Sequence, residues 1–323
     1  MQAVGVERQG TQRRVDEGGV RALDEAVACA AGLDRVLHSI DPRRLNRFAD
    51  GGPAVWSVAL CPCADGGYLF VTYGLSQHVD PDAPFNHEMS LRVPATHDGQ
   101  PPEWPRRLLS RIARRQLTQR AFEVNELVAL RRPLVEGEPT AMRGFTVATE
   151  PAISDVRRVV GLHRNELALA EVWSAEGLLA EIARRDPYLC TDVTRSSYDG
   201  DPTFVEAMEA GARREGSSTH CINVAGFGWR PNPNGFSIDV PGGSGLRRVA
   251  KMIRARLDHQ RELVIQDVGR QVRFYPHGET VSDATSDVRL EIGCDRLDLL
   301  LFAIEAAACE PEPSPVTLRF TKL

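Results

Sequence analysis

The sequence predicts an α+β fold, with a mixed sheet flanked by helices and a second, smaller α+β domain after it. Short strand-like runs bounded by glycine and proline turns alternate with amphipathic stretches that have the helical period. The length of 323 residues allows two domains. We place a flexible polar leader at 1–19, the first domain at 20–216 and the smaller domain at 217–323.

Composition excludes several classes of protein. A hydrophobic content of 42% and a charged content of 26% are those of a globular protein. No run of eighteen apolar residues occurs, so we expect no membrane association. The leader lacks the apolar segment of a secretory signal, which predicts a cytoplasmic protein. The net charge of −5 disfavours nucleic acid as a general partner.

Metal-ligand and catalytic motifs are not evident. The seven cysteines include one close pair, Cys61-Pro62-Cys63, whose single intervening residue is too short for the usual zinc spacing. We favour reduced thiols over a metal or redox site there. The histidines form no H-E-x-x-H motif and the serines no G-x-S-x-G motif. We therefore expect no metal, no cofactor and no enzymatic activity.

The elements of the first domain follow from periodicity and turn residues. We predict an amphipathic helix at 20–38, a strand at 55–60, a buried strand at 69–71 that runs into a Tyr-Gly turn, and a half-buried strand at 87–93. The next predicted elements are a helix at 101–120 and strands at 125–131, 143–149 and 156–162. They are followed by a helix capped by Ser174, a strand at 187–193 and a helix that begins at Asp201-Pro202.

Arginine is concentrated in the predicted helix at 101–120. The arginines are Arg106, Arg107, Arg111, Arg114, Arg115 and Arg120. Such a cluster can form a nucleic-acid patch, or it can be a solvated helix face with acidic neighbours. The acidic balance of the whole chain favours the solvated face.

The second domain begins after Gly216-Ser217-Ser218. We predict strands at 220–226 and 236–240, a helix behind a glycine-rich turn, and two strands joined by a tight turn at Gly269-Arg270. Another strand, a mostly buried helix capped by Asp295 and a last strand complete the domain.

The glycine-rich turn offers an alternative function. A strand, the sequence VPGGSGLRR and a helix start follow one another, as in a phosphate-binding loop. Gly243, Ser244, Gly245 and Arg247 would then bind phosphate, in a nucleotide-binding protein or an enzyme. The loop lacks both the P-loop and the G-x-G-x-x-G spacing, so a turn without a ligand is the favoured interpretation.

Eight segments between residues 51 and 218 resemble the suppressor-of-fused family, in the same order. They are GGP at 51–53, YLFVTYGLS at 68–76, HEMSLRV at 87–93, PPEWPRRLLSRIAR at 101–114, TVATEP at 146–151, EVWSAEGLLAEI at 171–182, YLCTDVTR at 188–195 and GARREGSS at 211–218. The resemblance ends near Ser218, and residues 219–323 do not match the second domain of the eukaryotic family members.

The resemblance implies a protein-binding module. The eukaryotic family member binds a short peptide between its two lobes. The composition, rich in arginine, alanine and glycine, looks bacterial, and bacterial relatives are thought to be immunity proteins that block a cognate toxin. The acidic balance suits a basic toxin. The implied partner-binding residues are Tyr73, Thr149, Glu150 and Asp192. In the family pattern a second acidic residue stands between the residues matching Glu150 and Pro151, which suggests a different peptide preference here.

Overall fold

The structure is a computed structural model, and its described residues are 46–47, 55–63, 65–73, 75, 87–150, 156–278, 281–282 and 289–321. The chain divides into two compact units. The first unit contains the described residues up to 124 together with 147–160 and 190–192. The second contains 125–146, 161–189 and those from 193 onward.

The described residues form fifteen strands and six α-helices. The strands are β1 (Asn46–Arg47), β2 (Val55–Pro62), β3 (Tyr68–Tyr73), β4 (Glu88–Val93), β5 (Leu127–Ala129), β6 (Met142–Thr149), β7 (Val156–His163), β8 (Cys221–Asn223), β9 (Gly228–Asn232), β10 (Gly235–Val240), β11 (Leu263–Asp267), β12 (Arg270–Phe274), β13 (Val281–Ser282), β14 (Arg289–Ile292) and β15 (Val316–Thr321). The helices are α1 (Trp104–Thr118), α2 (Arg164–Val172), α3 (Ala175–Ala183), α4 (Pro202–Glu215), α5 (Ser244–Leu257) and α6 (Cys294–Ala308).

The first unit is built on a mixed sheet with the strand order β1-β2-β3-β4-β7. Neighbouring strands are antiparallel except β4 and β7, which run parallel. Helix α1 packs against β3 and β4. Its first turn contains Pro105, where the missing N–H costs nothing, and its buried stripe includes Trp104, Leu108 and Ile112.

The helices of the second unit surround Trp173, which follows α2. Helices α3 and α4 meet its indole through two glycines, because a Cβ on Gly177 or Gly211 would lie 2.6 Å or 2.3 Å from ring atoms. The indole Nε1 donates to Glu215 over 2.8 Å. The two glycines therefore set how closely the helices approach the ring.

The rest of the second unit has its own core. A three-stranded sheet has the order β15-β10-β9, a five-stranded sheet has the order β13-β14-β12-β11-β8, and β5 pairs with β6. The core includes buried side chains of α5, such as Leu246, Val249, Met252 and Ile253, together with Ile238 of β10. The predicted strand, glycine turn and helix at 236–257 are confirmed.

Several predictions of local structure are wrong. Residues 187–193 form turns instead of a strand, because Leu189 has a φ of 50° and Tyr188 N–H bonds to the side chain of Asp186. Helix α6 follows Gly293 and not Asp295, and Phe302 on it is 77% exposed. The hairpin turn is Val268-Gly269, one residue earlier than predicted. Helix α2 and strand β9 were not predicted.

Other predictions lie beyond what the structure tests. The helix predicted at 20–38 and the leader at 1–19 lie outside the described residues. The domain boundary predicted at residue 217 stays a prediction. In the structure, Ser217 is buried in the second unit, and its hydroxyl donates to the carbonyl of Glu171. Within the described part of the chain, no helix is both long and apolar enough to cross a membrane.

Candidate functional site

The polar residues of β4 form a buried row in the first unit. Glu88, Ser90 and Arg92 alternate along the strand, and all three are buried. The strand predicted at 87–93 is confirmed, but it is not half-buried, because the face expected to meet solvent is also covered. Buried polar groups need hydrogen-bond or charge partners. The partners of this polar row come from distant segments of the same unit.

Glu150 is the partner at the centre of the polar row. Its carboxylate accepts a hydrogen bond from the Ser90 hydroxyl at 2.7 Å and another from Arg158 Nε at 2.8 Å. A second guanidinium nitrogen of Arg158 contacts the other carboxylate oxygen, so the pair is bidentate. The parallel register of β4 and β7 places Ser90 beside Arg158. The Glu150 and Arg158 side chains are almost fully buried, so the two charges compensate each other.

Arg92 occupies one end of the polar row. Its guanidinium bonds to Asp65 at 2.9 Å, and its carbonyl accepts the N–H of Thr191 at 2.8 Å. Burial raises the pKa of the nearby Cys63 thiol, and the positive charge of Arg92 only partly opposes this. Cys63 is therefore a poor nucleophile, since the thiolate is the reactive form.

Glu88 occupies the other end and holds the chain after β3. Its carboxylate accepts the Thr72 hydroxyl at 2.7 Å and the N–H of Leu75 at 3.2 Å. The Thr72 hydroxyl oxygen in turn accepts the N–H of Met89 at 2.8 Å. These bonds fix the segment on either side of Tyr73. Glu88 therefore links Thr72 and Leu75 to the start of β4.

The structure relates three predicted site residues to the polar row. Glu150 bonds to it directly, Asp192 follows Thr191, and Tyr73 follows Thr72. Thr149 is exposed next to Glu150, and Asp192 is half-buried. Tyr73 ends β3 opposite Ser57, and its side chain lies outside the described part. Thr149 and Asp192 are thus accessible, whereas the carboxylate of Glu150 lies in the interior.

A buried histidine lies on the other side of β4. His87 Nε2 lies 3.1 Å from the side-chain nitrogen of Gln116, which comes from α1. Burial, reinforced by the positive charge of Arg157, lowers the pKa of His87 to about 4. His87 is therefore neutral at pH 7. A neutral ring in contact with an amide fits a structural role in joining α1 to the sheet.

The glycine-rich loop of the second unit uses its polar groups internally. Gly243, with a φ of 61°, donates its N–H to the Pro313 carbonyl at 2.6 Å. The Arg247 guanidinium donates to the carbonyls of Glu310 and Pro311 at 3.1 Å and 2.7 Å. Ser244 is exposed and Gly245 half-buried at the start of α5. Phosphate binding stays a prediction, but a phosphate would compete with these contacts for Gly243 and Arg247.

Comparison with known proteins identifies the family that the region containing the polar row resembles. The sequence profile of the family described as Suppressor of fused protein matches residues 55–196. These residues include the whole polar row with Asp65, Glu150, Arg158 and Thr191. The chain contains a suppressor-of-fused domain. No curated protein matches the sequence significantly.

Solved structures extend the likeness of the fold beyond that domain. The crystal structure of Drosophila Suppressor of Fused aligns with a TM-score of 0.65 at 14% identity, over 93% of this chain and 95% of that chain. The fold likeness therefore continues past Ser218, where the sequence resemblance ends, so the expected lack of a match for residues 219–323 is wrong at the level of fold.

Two further solved structures are similar over smaller parts of the chain. The crystal structure of the Sufu–Fu complex gives a TM-score of 0.48 at 17% identity, over 59% of this chain and 96% of that chain. A suppressor-of-fused homologue from Neisseria gonorrhoeae FA 1090 gives 0.36 at 17% identity, over 48% of this chain and 83% of that chain.

Sequence reasoning missed most of the suppressor-of-fused domain's buried charges. Arg92, Arg158 and Asp65 were not proposed as site residues, although each pairs within the polar network. A usable signal was the alternation of Glu88, Ser90 and Arg92, which marks one strand face but not what covers it. Among the described residues, no group of three or more metal-ligating side chains is arranged to hold a metal.

Proposed function

We propose that this chain is a non-enzymatic protein-binding module. The match of residues 55–196 to the suppressor-of-fused family carries the proposal. A suppressor-of-fused protein, Sufu, has been crystallised in a complex with Fu. Transfer of a binding role to this chain rests on the shared domain, because a fold alone does not define a function.

The accessible residues beside the polar row are the proposed contact surface. Thr149 is exposed, and Asp192 is half-buried at the segment that is bonded to Arg92. Tyr73 belongs to the proposed surface because it lies between Thr72 and Leu75, which both bond to Glu88. A surface held by buried ion pairs loses little conformational freedom on binding, which favours affinity. Glu150 contributes as the internal support of Thr149.

The chemistry of the site supports binding over catalysis. The pKa of Cys63 is raised by burial, so its reactive thiolate is disfavoured at neutral pH. The Glu150 carboxylate is held by Arg158 in a bidentate pair, so both of its oxygens already have partners inside the protein. These groups are arranged to stabilise each other and not a transition state.

The partner that fits the chain best is a bacterial toxin with a basic surface. An immunity-type protein needs no chemistry, since an interface of about 1,600 Å² is enough to cover an active site. The net charge of −5 would steer a basic partner towards the chain. A cytoplasmic location belongs to the same proposal, because such a protein would meet the toxin inside the cell.

Co-expression with the product of the neighbouring gene tests this function. We expect the two proteins to co-purify, and we expect the chain to restore growth to cells that express the neighbouring product. Thr149→Arg combined with Asp192→Arg should weaken both effects. Thr317→Arg combined with Asp258→Arg, at exposed positions of the second unit, adds the same charge and is the matched control. A neighbouring product that is harmless and does not co-purify would contradict the immunity proposal.

The alternative, a phosphate ligand at Gly243, Ser244, Gly245 and Arg247, predicts a different result. A ligand that binds only the folded chain raises its melting temperature by mass action. We expect nucleotides and sugar phosphates to leave the melting temperature unchanged, because Arg247 already binds two carbonyls. A rise that disappears in Arg247→Ala would support the phosphate site instead.

A further inference from the structure

Strand β15 is the end strand of the three-stranded sheet in the second unit. It pairs along all six of its residues with β10 on one side. Within the described part of the chain, no strand pairs with its other side. The N–H and C=O groups on that side form an open edge, which can accept a further strand. A strand of equal length would satisfy these groups.

The two faces of β15 differ in character. Phe320 is buried, and Val316 and Leu318 are half-buried against the core of the unit. Thr317 and Arg319 alternate with them on the other face, where both are exposed. The half-buried apolar side chains leave part of the core uncovered at this edge. A strand added there would bury them further, which favours association.

The sequence of β15 matches itself in one antiparallel register. With Leu318 opposite Leu318 of a second copy, Val316 lies opposite Phe320 and Thr317 lies opposite Arg319. Side chains that face the core then meet side chains that face the core, because directly opposed residues lie on the same face of a sheet. A shift by one residue would mix the two faces. A register centred on Arg319 would place two like charges opposite each other.

The charges beside β15 complement each other in the same register. Asp239 of β10 lies opposite Thr317, whose hydroxyl donates to its carboxylate at 2.8 Å. Arg319 of a second copy would lie two strand spacings from Asp239, roughly 10 Å between backbones, so the two side chains can meet. The Asp239 carboxylate also binds Arg230 at 3.0 Å, and its two oxygens can accept further hydrogen bonds. The second copy thus brings a cation to a carboxylate at each end of the contact.

We propose that two copies of this chain associate through antiparallel pairing of β15, which joins their three-stranded sheets into one six-stranded sheet. A two-fold axis through the Leu318 pair relates the copies, so the contact is self-complementary and closed. The interface lies in the second unit, whereas Thr149 and Asp192 of the proposed contact surface lie in the first. A variant that is monomeric through a change at Thr317 should therefore keep partner binding.

Analytical ultracentrifugation of the full chain at about 1 to 100 µM tests the association. We expect a dimer that dissociates on dilution. Thr317→Arg should make the chain monomeric, because it sets an arginine opposite Arg319 of the second copy at both ends of the contact. The exchanged variant T317R/R319T again places an arginine opposite a threonine and should dimerise as the parent does. This rescue separates loss of the contact from loss of the fold.

Oxidative cross-linking tests the register. In a Cys309→Ser background, which removes an exposed thiol, Leu318→Cys places two thiols opposite each other. Their Cα atoms would lie about 4.5–5.5 Å apart, a distance that a disulfide can span. We expect air oxidation to give a covalent dimer. Thr317→Cys is the control, because its two copies would lie about 8 Å apart and should cross-link poorly.

Three results would overturn the inference. The first is a chain that sediments as a monomer at every concentration, which would leave the edge of β15 to a strand of a different protein. The second is a dimer that Thr317→Arg does not weaken, which would place the contact elsewhere. The third is equal cross-linking of the Leu318→Cys and Thr317→Cys variants, which would exclude the register centred on Leu318.

Discussion

At the scale of single residues, the buried pair Glu150–Arg158 dominates the first unit. Burying two charges is costly, and the mutual attraction and the Ser90 hydrogen bond offset that cost. Removing one partner leaves the other charge uncompensated in the interior. Replacing both by apolar side chains removes the burial cost together with the attraction. A single variant should therefore lose more stability than the double variant.

We expect Glu150→Gln to lower the free energy of unfolding by about 3–5 kcal/mol, because Arg158 would remain charged and buried. The double variant Glu150→Leu/Arg158→Met should be more stable than Glu150→Gln. Urea unfolding of the three proteins measures the difference. A double variant that is no more stable than Glu150→Gln would contradict a compensated ion pair.

Acidification should weaken the fold through His87. Its pKa is about 4 in the folded chain, against an ordinary value near 6.5, so the unfolded chain binds more protons between these values. The contribution of neutral His87 to stability is complete above about pH 6.5 and is lost as the pH falls towards about 4. Urea midpoints measured across this range should fall less steeply for His87→Gln. Equal slopes in both proteins would exclude a buried neutral His87.

At the scale of elements, close helix packing depends on two glycines. Gly177 and Gly211 leave room for the Trp173 ring, whereas the sequence marks both only as poor helix formers. Gly211→Ala should lower stability by about 1–3 kcal/mol through overpacking, although alanine favours helices. Gly200→Ala is the control, because nothing lies within 4 Å of its added Cβ. Equal thermal midpoints for the two variants would contradict the packing.

The helices and strands also show which parts of the structure can be predicted from the local sequence. Helix α1 follows from its apolar period, and α3 begins after Ser174, whose side chain accepts the N–H of Gly177 at 2.9 Å. The polar row of β4 could not be predicted as interior, because Asp65 and Glu150 lie far from it along the chain. The turns at 187–193 were missed partly for the same reason, since Thr191 bonds to Arg92, which is far away along the chain.

At the scale of the whole molecule, similarity of fold to a suppressor-of-fused protein covers more of the chain than similarity of sequence does. The suppressor-of-fused profile ends at residue 196, whereas the fold of the Drosophila protein covers 93% of the chain. A core keeps its fold as long as volume and apolar pattern are kept, so sequence identity can fall to 14%. The candidate site was predictable only as segments, because side-chain exposure depends on what packs against each segment.

Hydrogen exchange of the complex with the neighbouring gene product tests the central claim most directly. If the chain acts by binding protein beside the polar row, amides around Thr149 and Cys190–Asp192 should gain protection on complex formation. The loop at 241–247 should be unchanged. Protection confined to that loop, or absent from the first unit, would contradict the account.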